Sequence, residues 1–141
     1  MKDAAGQTSA RRLRILLAED SIESQNIMKL YLRHTPHQLD CAETGISVVE
    51  QFKTGEYDLV FMDLQMPVMN GMQLLLKIRE SDDKRISALP VIMVTGQSDS
   101  PGGKRAVFDI GATDFIGKPF DAMDLLSRAR SNSHPSRRTK D

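Results

Sequence analysis

The chain has 141 residues, of which 40% are hydrophobic and 27% charged, a composition that fits one globular domain and leaves no room for two enzymatic domains. Its 19 basic and 19 acidic residues cancel, so no overall charge attracts the protein to nucleic acid or to an anionic membrane. No apolar run approaches the roughly 20 residues that cross a bilayer, and the single cysteine, Cys41, cannot form an internal disulfide, so we expect a cytoplasmic domain.

Polar segments at both ends flank a centre with regular apolar patterns. Residues 1–12 and 132–141 lack apolar periodicity and are predicted to be flexible tails, the second of them basic. Residues 13–131 are predicted to form one domain. Within it, short apolar or β-rich runs predict five strands, at Arg14–Ala18, Gln38–Ala42, Leu59–Met62, Val91–Val94 and Phe115–Ile116.

The segments that follow the first three strands have helical periodicity. The first helix is predicted to begin near Ser21 and to end before Pro36, because the residue before a proline avoids the helical conformation. The second is predicted over 46–54, closed by Gly55, and the third begins after Gly71. The predicted inward stripes are Ile27, Leu30 and Tyr31 on the first helix and Met72, Leu75 and Leu76 on the third.

Two further helices complete the predicted pattern. A fourth is expected between Ser98 and Gly111, with a first turn weakened by the sequence Pro-Gly-Gly at 101–103. A fifth begins at Asp121, whose carboxylate can cap a turn that carries Leu125, Leu126 and Ala129. Five strands alternating with five helices predict a doubly wound α/β fold, a five-stranded parallel sheet with helices on both faces.

Polar residues stand where the predicted strands end. Glu19 and Asp20 follow the first strand, Asp63 the third, Thr95 the fourth, and Lys118 with Pro119 the fifth. In doubly wound folds ligands bind beyond the carboxyl ends of the strands. Two carboxylates about 5 Å apart repel each other by roughly 3 kcal/mol at an effective dielectric of about 20, so the cluster needs a counter-charge. Its oxygen ligands suit a hard divalent cation such as Mg²⁺.

Four separated motifs carry a family resemblance. ILLAED, VFMDLQMPVMNG, VIMVTG and FIGKPF, in this order and spacing, resemble the receiver domain of bacterial two-component response regulators, over about residues 13 to 130. The resemblance implies the flavodoxin-like strand order 2-1-3-4-5, which is known from a chemotaxis receiver. It also implies a phosphorelay signalling domain that promotes only its own phosphorylation and dephosphorylation and is not otherwise an enzyme.

The resemblance assigns roles to the residues at the strand ends. Asp63 is the expected phosphoacceptor. The expected magnesium ligands are Asp20, Asp63 and the backbone carbonyl of Gln65, with Glu19 acting through a bound water; Mn²⁺ could replace Mg²⁺. Lys118 is expected to pair with a phosphoryl oxygen and to precede a cis peptide bond to Pro119.

Other positions are implied to switch or tune the domain. Thr95 and Phe115 occupy the switch positions, where the hydroxyl is expected to bond the phosphoryl group and the ring to move inward. Because Phe115 lacks the hydroxyl that a tyrosine would carry at this position, its buried rotamer is expected to be easier to populate than that of a tyrosine. Gln65 and Gln97 hold positions that tune hydrolysis of the acyl phosphate, and Gly96 is expected to loosen the loop after Thr95, which together with the Pro-Gly-Gly stretch predicts a mobile fourth helix.

The expected partners follow from the same resemblance. A sensor histidine kinase or a histidine phosphotransfer protein would supply the phosphoryl group, and a target protein would bind through the fourth helix, fifth strand and fifth helix. No attached output domain, nucleic-acid binding or membrane contact is expected. Met1 favours a free-standing protein, although a receiver segment of a hybrid sensor histidine kinase is an open alternative. An aspartyl-phosphate phosphohydrolase is a weaker one, because Gln65 cannot act as its acid and base.

Overall fold

Five parallel strands form one sheet at the centre of the protein. The computed structural model describes residues 12–64, 70–96 and 101–132, so both predicted tails lie almost wholly outside the described residues. The strand order is β2-β1-β3-β4-β5, which confirms the predicted doubly wound fold. The strands are β1 Arg14–Ala18, β2 Gln38–Ala42, β3 Leu59–Asp63, β4 Val91–Thr95 and β5 Asp114–Gly117.

In the described part of the chain, six helices cover the two faces of this sheet. They are α1 Ile22–Leu32, α2 Gly45–Thr54, α3 Gly71–Arg79, α4 Lys84–Ser87, α5 Pro101–Ile110 and α6 Ala122–Asn132. The short α4 was not predicted, so the fourth and fifth predicted helices correspond to α5 and α6. Within the described ranges the longest helix has 11 residues, too few to span a bilayer.

The core consists of two apolar clusters, one on each face of the sheet. Leu16 in β1 points into the cluster covered by α2, α3 and α5, whereas the neighbouring Leu17 points into the cluster covered by α1 and α6. Alternate residues of a strand face opposite sides of a sheet, so burial on both sides requires unbroken apolar runs. Every residue of β3 and β4 is buried, as those runs predicted.

The predicted inward stripe of α1 is wrong at two of its three positions. Ile27 and Leu30 are 47% and 53% exposed, whereas Met28 and Leu32 are buried against the sheet. Tyr31 packs partly against the same cluster, and its hydroxyl donates a hydrogen bond to the carbonyl of Phe120 at 3.0 Å. Apolar residues occur on several sides of this helix, so periodicity alone could not identify the buried side.

The predicted stripe of α3 is wrong at Leu76. Leu76 is exposed, Leu75 is buried as predicted, and Met72 is half-buried. The other buried positions of α3 are Gly71, Leu74 and Ile78. Three consecutive leucines cannot all face the sheet, since successive residues of a helix are about 100° apart. The sheet covers the first two.

Polar caps fix where the helices next to the strand ends begin. The Ser21 hydroxyl accepts a hydrogen bond from the Ser24 backbone at 3.2 Å, so α1 starts directly after Glu19 and Asp20. The Asp121 carboxylate accepts from the Asp124 backbone at 2.8 Å, which confirms the predicted cap of α6. These caps place the loops at the carboxyl edge of the sheet.

Candidate functional site

The carboxyl ends of four neighbouring strands bring the predicted site residues to one edge of the sheet. Asp63 ends β3 and Thr95 ends β4, while Glu19 follows β1 and Lys118 follows β5. The register aligns Asp63 with Val94 and Thr95 with Gly117, so the strands end at nearly the same level. Residues far apart in sequence therefore become neighbours through the parallel topology alone.

Three carboxylates meet at this edge. Glu19, Asp20 and Asp63 each offer an oxygen that lies within 4.8 Å of the others. Glu19 and Asp63 are only 3% and 8% exposed, whereas Asp20 faces solvent. A cluster of hard oxygen donors with one open side fits a divalent cation that keeps part of its hydration. Gln65, the predicted backbone ligand, lies outside the described residues.

Lys118 supplies part of the counter-charge. Its Nζ lies 3.5 Å from Oδ2 of Asp63 and 3.7 Å from Oε1 of Glu19. The peptide bond between Lys118 and Pro119 is cis, as the sequence resemblance implied. Among the described residues, the three carboxylates outnumber this one ammonium, which leaves an excess of negative charge at the edge of the sheet.

The environment of Glu19 reflects this excess of negative charge. Burial, and to a smaller extent the charge of Asp63, raise the pKa of the Glu19 carboxyl to about 7. A hydrogen bond from the Ser21 backbone at 3.1 Å and the charge of Lys118 oppose the rise without reversing it. The groups around Glu19 thus compensate only part of the cost of holding charge at this edge.

Gln25 supports the backbone of the site, and the sequence analysis missed it. Its Nε2 donates a hydrogen bond at 2.8 Å to the carbonyl oxygen of Glu19, and the side chain is buried on α1. The bond holds the chain in place just where it leaves β1. A polar residue on a helix gives no signal of such a contact in sequence.

Gly71 lets α3 begin directly against the end of β3. A Cβ atom at this position would lie 2.7 Å from the carbonyl oxygen of Asp63 and 2.9 Å from the Cα of Leu64. Those atoms belong to backbone that cannot shift without moving Asp63. Gly71 is the last residue of the motif VFMDLQMPVMNG. Its place in this motif was the only sign of its role in the sequence.

The predicted switch residues lie on β4 and β5, the two strands on one side of β3. Thr95 is buried, and its hydroxyl donates to the carbonyl of Ile116 at 3.5 Å. Phe115 is half-buried against the cluster covered by α2, α3 and α5. Gly96 directly follows Thr95, whereas Gln97 lies outside the described residues. The structure therefore brings Thr95 and Phe115 to adjacent strands.

Comparison with known proteins identifies the family. The profile of the response regulator receiver domain matches residues 15–130. The chain belongs to this family. Receiver domains are signalling modules of two-component systems, and the acidic cluster lies where the strands of this receiver end.

Individual relatives agree with this assignment. Response regulator ArlR of Staphylococcus saprophyticus is 34% identical over 118 residues, which cover 84% of this chain and 51% of the relative. The chain thus spans about half the length of that relative. The receiver domain of a histidine kinase from Syntrophus aciditrophicus has a TM-score of 0.75 and 29% identity, over 87% of this chain and 93% of that one.

A third relative was solved with its metal. It is the receiver domain of a sensor histidine kinase from Pseudomonas aeruginosa, described with a magnesium ion coordinated in the active site cleft. Its TM-score is 0.75 and its identity 25%, over 86% of this chain and 96% of that one.

Proposed function

We propose that this receiver accepts a phosphoryl group on Asp63 from the phosphohistidine of a sensor histidine kinase or a histidine phosphotransfer protein. The observation that carries this proposal is the arrangement around Asp63. Two further carboxylates lie within 4.8 Å of it, and the Nζ of Lys118 lies 3.5 Å from its Oδ2. A nucleophile, a cation site and a fixed ammonium are the parts that phosphoryl transfer needs.

The chemistry requires position more than acid–base assistance. A carboxylate oxygen of Asp63 attacks the phosphorus, the phosphorus–nitrogen bond of the donor breaks, and its electron pair leaves with the imidazole. Charge spreads over the phosphoryl oxygens in a loose transition state, and Lys118, whose Nζ is 3.5 Å from Asp63, would pair with one of them. The carboxylate attacks directly, so no separate base is needed.

The donor set suits Mg²⁺, with Mn²⁺ as a substitute. Asp20, Asp63 and the backbone carbonyl of Gln65 would hold the ion directly, and Glu19 would do so through a water. When bound, the ion would neutralise charge on the phosphoryl oxygens. The magnesium in the cleft of the Pseudomonas receiver supports this assignment.

Phosphorylation would act on the rest of the protein through Thr95 and Phe115. The Thr95 hydroxyl would exchange the carbonyl of Ile116 for a phosphoryl oxygen. A hydrogen bond to a charged group contributes about 1.5–3 kcal/mol, whereas shifting an equilibrium from 1:99 to 99:1 needs about 5.5 kcal/mol. Inward movement of Phe115 and binding of a partner would supply the difference. Gln65, Gln97 and Gly96 would tune how long the acyl phosphate persists.

A cavity beside the site offers a place for the donor protein to approach. It has a volume of about 690 Å³ and lies between α1 and the loop after β5. Glu19 and Lys118 lie at its polar side, and Ile27, Tyr31 and Phe120 supply apolar surface. Because a donor histidine must come within bonding distance of Asp63, a protein that fills this cavity would bring its imidazole to the correct edge.

The proposed output surface consists of α5, β5 and α6, which adjoin the switch residues. A target protein would bind there, in the cytoplasm, without direct contact to nucleic acid. The likeness to receiver domains of two histidine kinases favours a second possibility, that the chain is the receiver segment of a hybrid sensor kinase. Phosphoryl transfer to Asp63 is common to both.

Incubation with acetyl phosphate and Mg²⁺, followed by intact mass spectrometry, tests the phosphoacceptor. We expect the mass of one phosphoryl group to be gained by the wild type and by Asp82→Ala, a control at an exposed aspartate outside the cluster. Asp63→Ala should gain none. Labelling of Asp63→Ala to the wild-type extent would contradict the proposal, and multiple-turnover phosphate release from unrelated esters would indicate a hydrolase instead.

A further inference from the structure

Two phenylalanine rings meet at the edge of the proposed switch. The ring centroids of Phe108 on α5 and Phe115 on β5 are 5.9 Å apart, with an angle of 33° between the ring planes. Phe108 is 56% exposed, whereas Phe115 packs partly against the core. Phe108 therefore contributes little to the core, and its contact with Phe115 needs another explanation.

The backbone on the Phe115 side is fixed. The carboxylate of Asp114 accepts a hydrogen bond from the Phe115 backbone at 2.8 Å. That carboxylate is itself held by Arg128 and Asn132 of α6, each at 2.9 Å. The Phe115 ring can change position by rotating about its own side-chain bonds while the strand stays in place.

The backbone on the Phe108 side is fixed as well. Gly111 donates to the carbonyls of Val107 and Phe108 at 3.2 and 3.0 Å, which closes the end of α5. Arg79 of α3 donates from Nε to the carbonyl of Gly111 at 2.9 Å. Val107, the neighbour of Phe108, is fully buried. The two rings thus face each other from two anchored segments.

We propose that Phe108 is a positioning residue that holds the Phe115 ring in its half-buried resting place. This inference rests on the proposed role of Phe115 as a switch. If Phe115 rotates inward on phosphorylation, it leaves Phe108, so the ring contact favours the unphosphorylated state. Phe108 then sets how readily the domain adopts its phosphorylated conformation, although it touches neither the phosphoryl group nor the metal ligands.

The size of the effect follows from ordinary aromatic pairing. Contacts between two rings shift an equilibrium by roughly two- to twelve-fold beyond the area they bury. Removal of the Phe108 ring should therefore raise the apparent affinity for a phosphoryl mimic by that factor. A residue that merely supported the fold would lower this affinity, or leave it unchanged.

Calorimetric titration with beryllium trifluoride in excess Mg²⁺ measures this affinity, since the compound mimics a phosphoryl group on a carboxylate. We expect Phe108→Ala to bind about two- to twelve-fold more tightly than the wild type. Phe108→Tyr keeps a ring at an exposed position and should bind as the wild type does. Leu30→Ala removes a side chain of similar exposure, 53%, from the opposite face of the sheet and should change nothing.

A double-mutant cycle shows whether the effect passes through Phe115. In a Phe115→Ala background, Phe108→Ala should no longer change the affinity. An equal gain in that background would overturn the proposal, and so would an unchanged or weaker affinity of Phe108→Ala alone. Binding of the mimic by Asp63→Ala, or by the wild type without Mg²⁺, would overturn the proposed function itself. That result differs from a site that needs both Asp63 and Mg²⁺ but whose affinity does not change in Phe108→Ala.

Discussion

At the scale of single residues, Asp63 owes its position to a missing side chain. Gly71 begins α3 so close to β3 that a Cβ at this position would collide with the carbonyl of Asp63 and the Cα of Leu64. Asn70 and Gln73 fix this start from the solvent side with a reciprocal capping box, each side chain accepting from the backbone of the other. Asp63, the proposed phosphoacceptor, and the first turn of α3 therefore form one rigid unit.

The first prediction concerns this close approach. Gly71→Ala places a Cβ 2.7 Å from the Asp63 carbonyl, and the backbone must separate to accommodate it. We expect the free energy of unfolding to fall by about 1–3 kcal/mol, which is the usual cost of overpacking a buried site. We also expect phosphorylation by acetyl phosphate to become slower. Urea unfolding and intact mass measure the two effects.

Gly117→Ala is the matched control for that variant. A Cβ at Gly117 would have no atom within 4 Å, although the residue directly precedes Lys118. Its stability should stay near that of the wild type. If both variants unfold alike, the close approach at Gly71 has no energetic consequence, and our explanation of the site's rigidity is wrong.

At the scale of elements, side chains that bond to backbone hold the loops between strands and helices. Arg79, at the end of α3, donates from Nη1 to the carbonyls of Leu89 and Ser87 at 2.7 and 3.0 Å, and from Nε to Gly111. Burial lowers the pKa of this guanidinium. One side chain thus connects α3 with α4, with the start of β4 and with the turn after α5. Helix α5 carries Phe108.

A second connection of this kind depends on pH. The Nδ1 of His37 accepts a hydrogen bond at 3.1 Å from the backbone of Leu13, where β1 and β2 begin side by side. Burial lowers the pKa of His37 below its ordinary 6.5, and the positive charge of Arg130 lowers it further. Only the neutral imidazole can accept this bond.

The second prediction follows from the sign of that shift. Below pH 6.5, the ordinary value, the unfolded chain binds a proton at His37 that the folded chain does not. The stabilisation is therefore complete above this pH and is lost as the pH falls toward the folded pKa. We expect His37→Ala to lower the free energy of unfolding by about 1 kcal/mol near pH 8, and by less near pH 5.5.

Urea unfolding at the two pH values tests this prediction against a second histidine. His34 is exposed in the same loop, so His34→Ala should keep the wild-type dependence on pH. A constant difference between His37→Ala and the wild type at both pH values would show that protonation of His37 does not affect folding.

The elements also show what sequence periodicity can predict. Strands β3 and β4 are buried on both faces, so they had to be unbroken apolar runs and were found correctly. Helix α1 needs apolar residues only on the side that meets the sheet. Ile27 and Leu30 are apolar as well, although they lie on its exposed side. Its buried side even contains Gln25, whose amide is satisfied by the carbonyl of Glu19. A helix with surplus apolar residues does not reveal which side meets the sheet.

At the scale of the whole molecule, an apolar sheet carries an acidic cluster at one edge. Glu19, Asp63 and Lys118 could be predicted to meet because parallel strands end together, and this placement depends on topology alone. The contributions of Gly71 and Gln25 could not be predicted, because Gly71 acts through a close approach that leaves no room for a Cβ and Gln25 through a hydrogen bond from its side chain to the Glu19 carbonyl. Burial of the apolar core favours folding. The acidic cluster opposes folding, because it brings like charges together.

The third prediction connects this opposition with the metal. Asp20 is the exposed member of the cluster, so Asp20→Asn removes repulsion without leaving a buried group unpaired. Without divalent cations we expect the variant to be more stable than the wild type by up to about 1 kcal/mol. Excess Mg²⁺ at about 100 times its dissociation constant should stabilise the wild type by roughly 2.7 kcal/mol, and the variant much less.

Urea unfolding with EDTA and with Mg²⁺ separates the two terms of that prediction. Asp82→Asn removes an equally negative, exposed carboxylate outside the cluster, so its stability should follow the wild type in both conditions. If Asp20→Asn responds fully to Mg²⁺, Asp20 is not a ligand. If it is destabilised in EDTA, the carboxylates do not oppose folding, and the cation site must be explained by something other than their mutual repulsion.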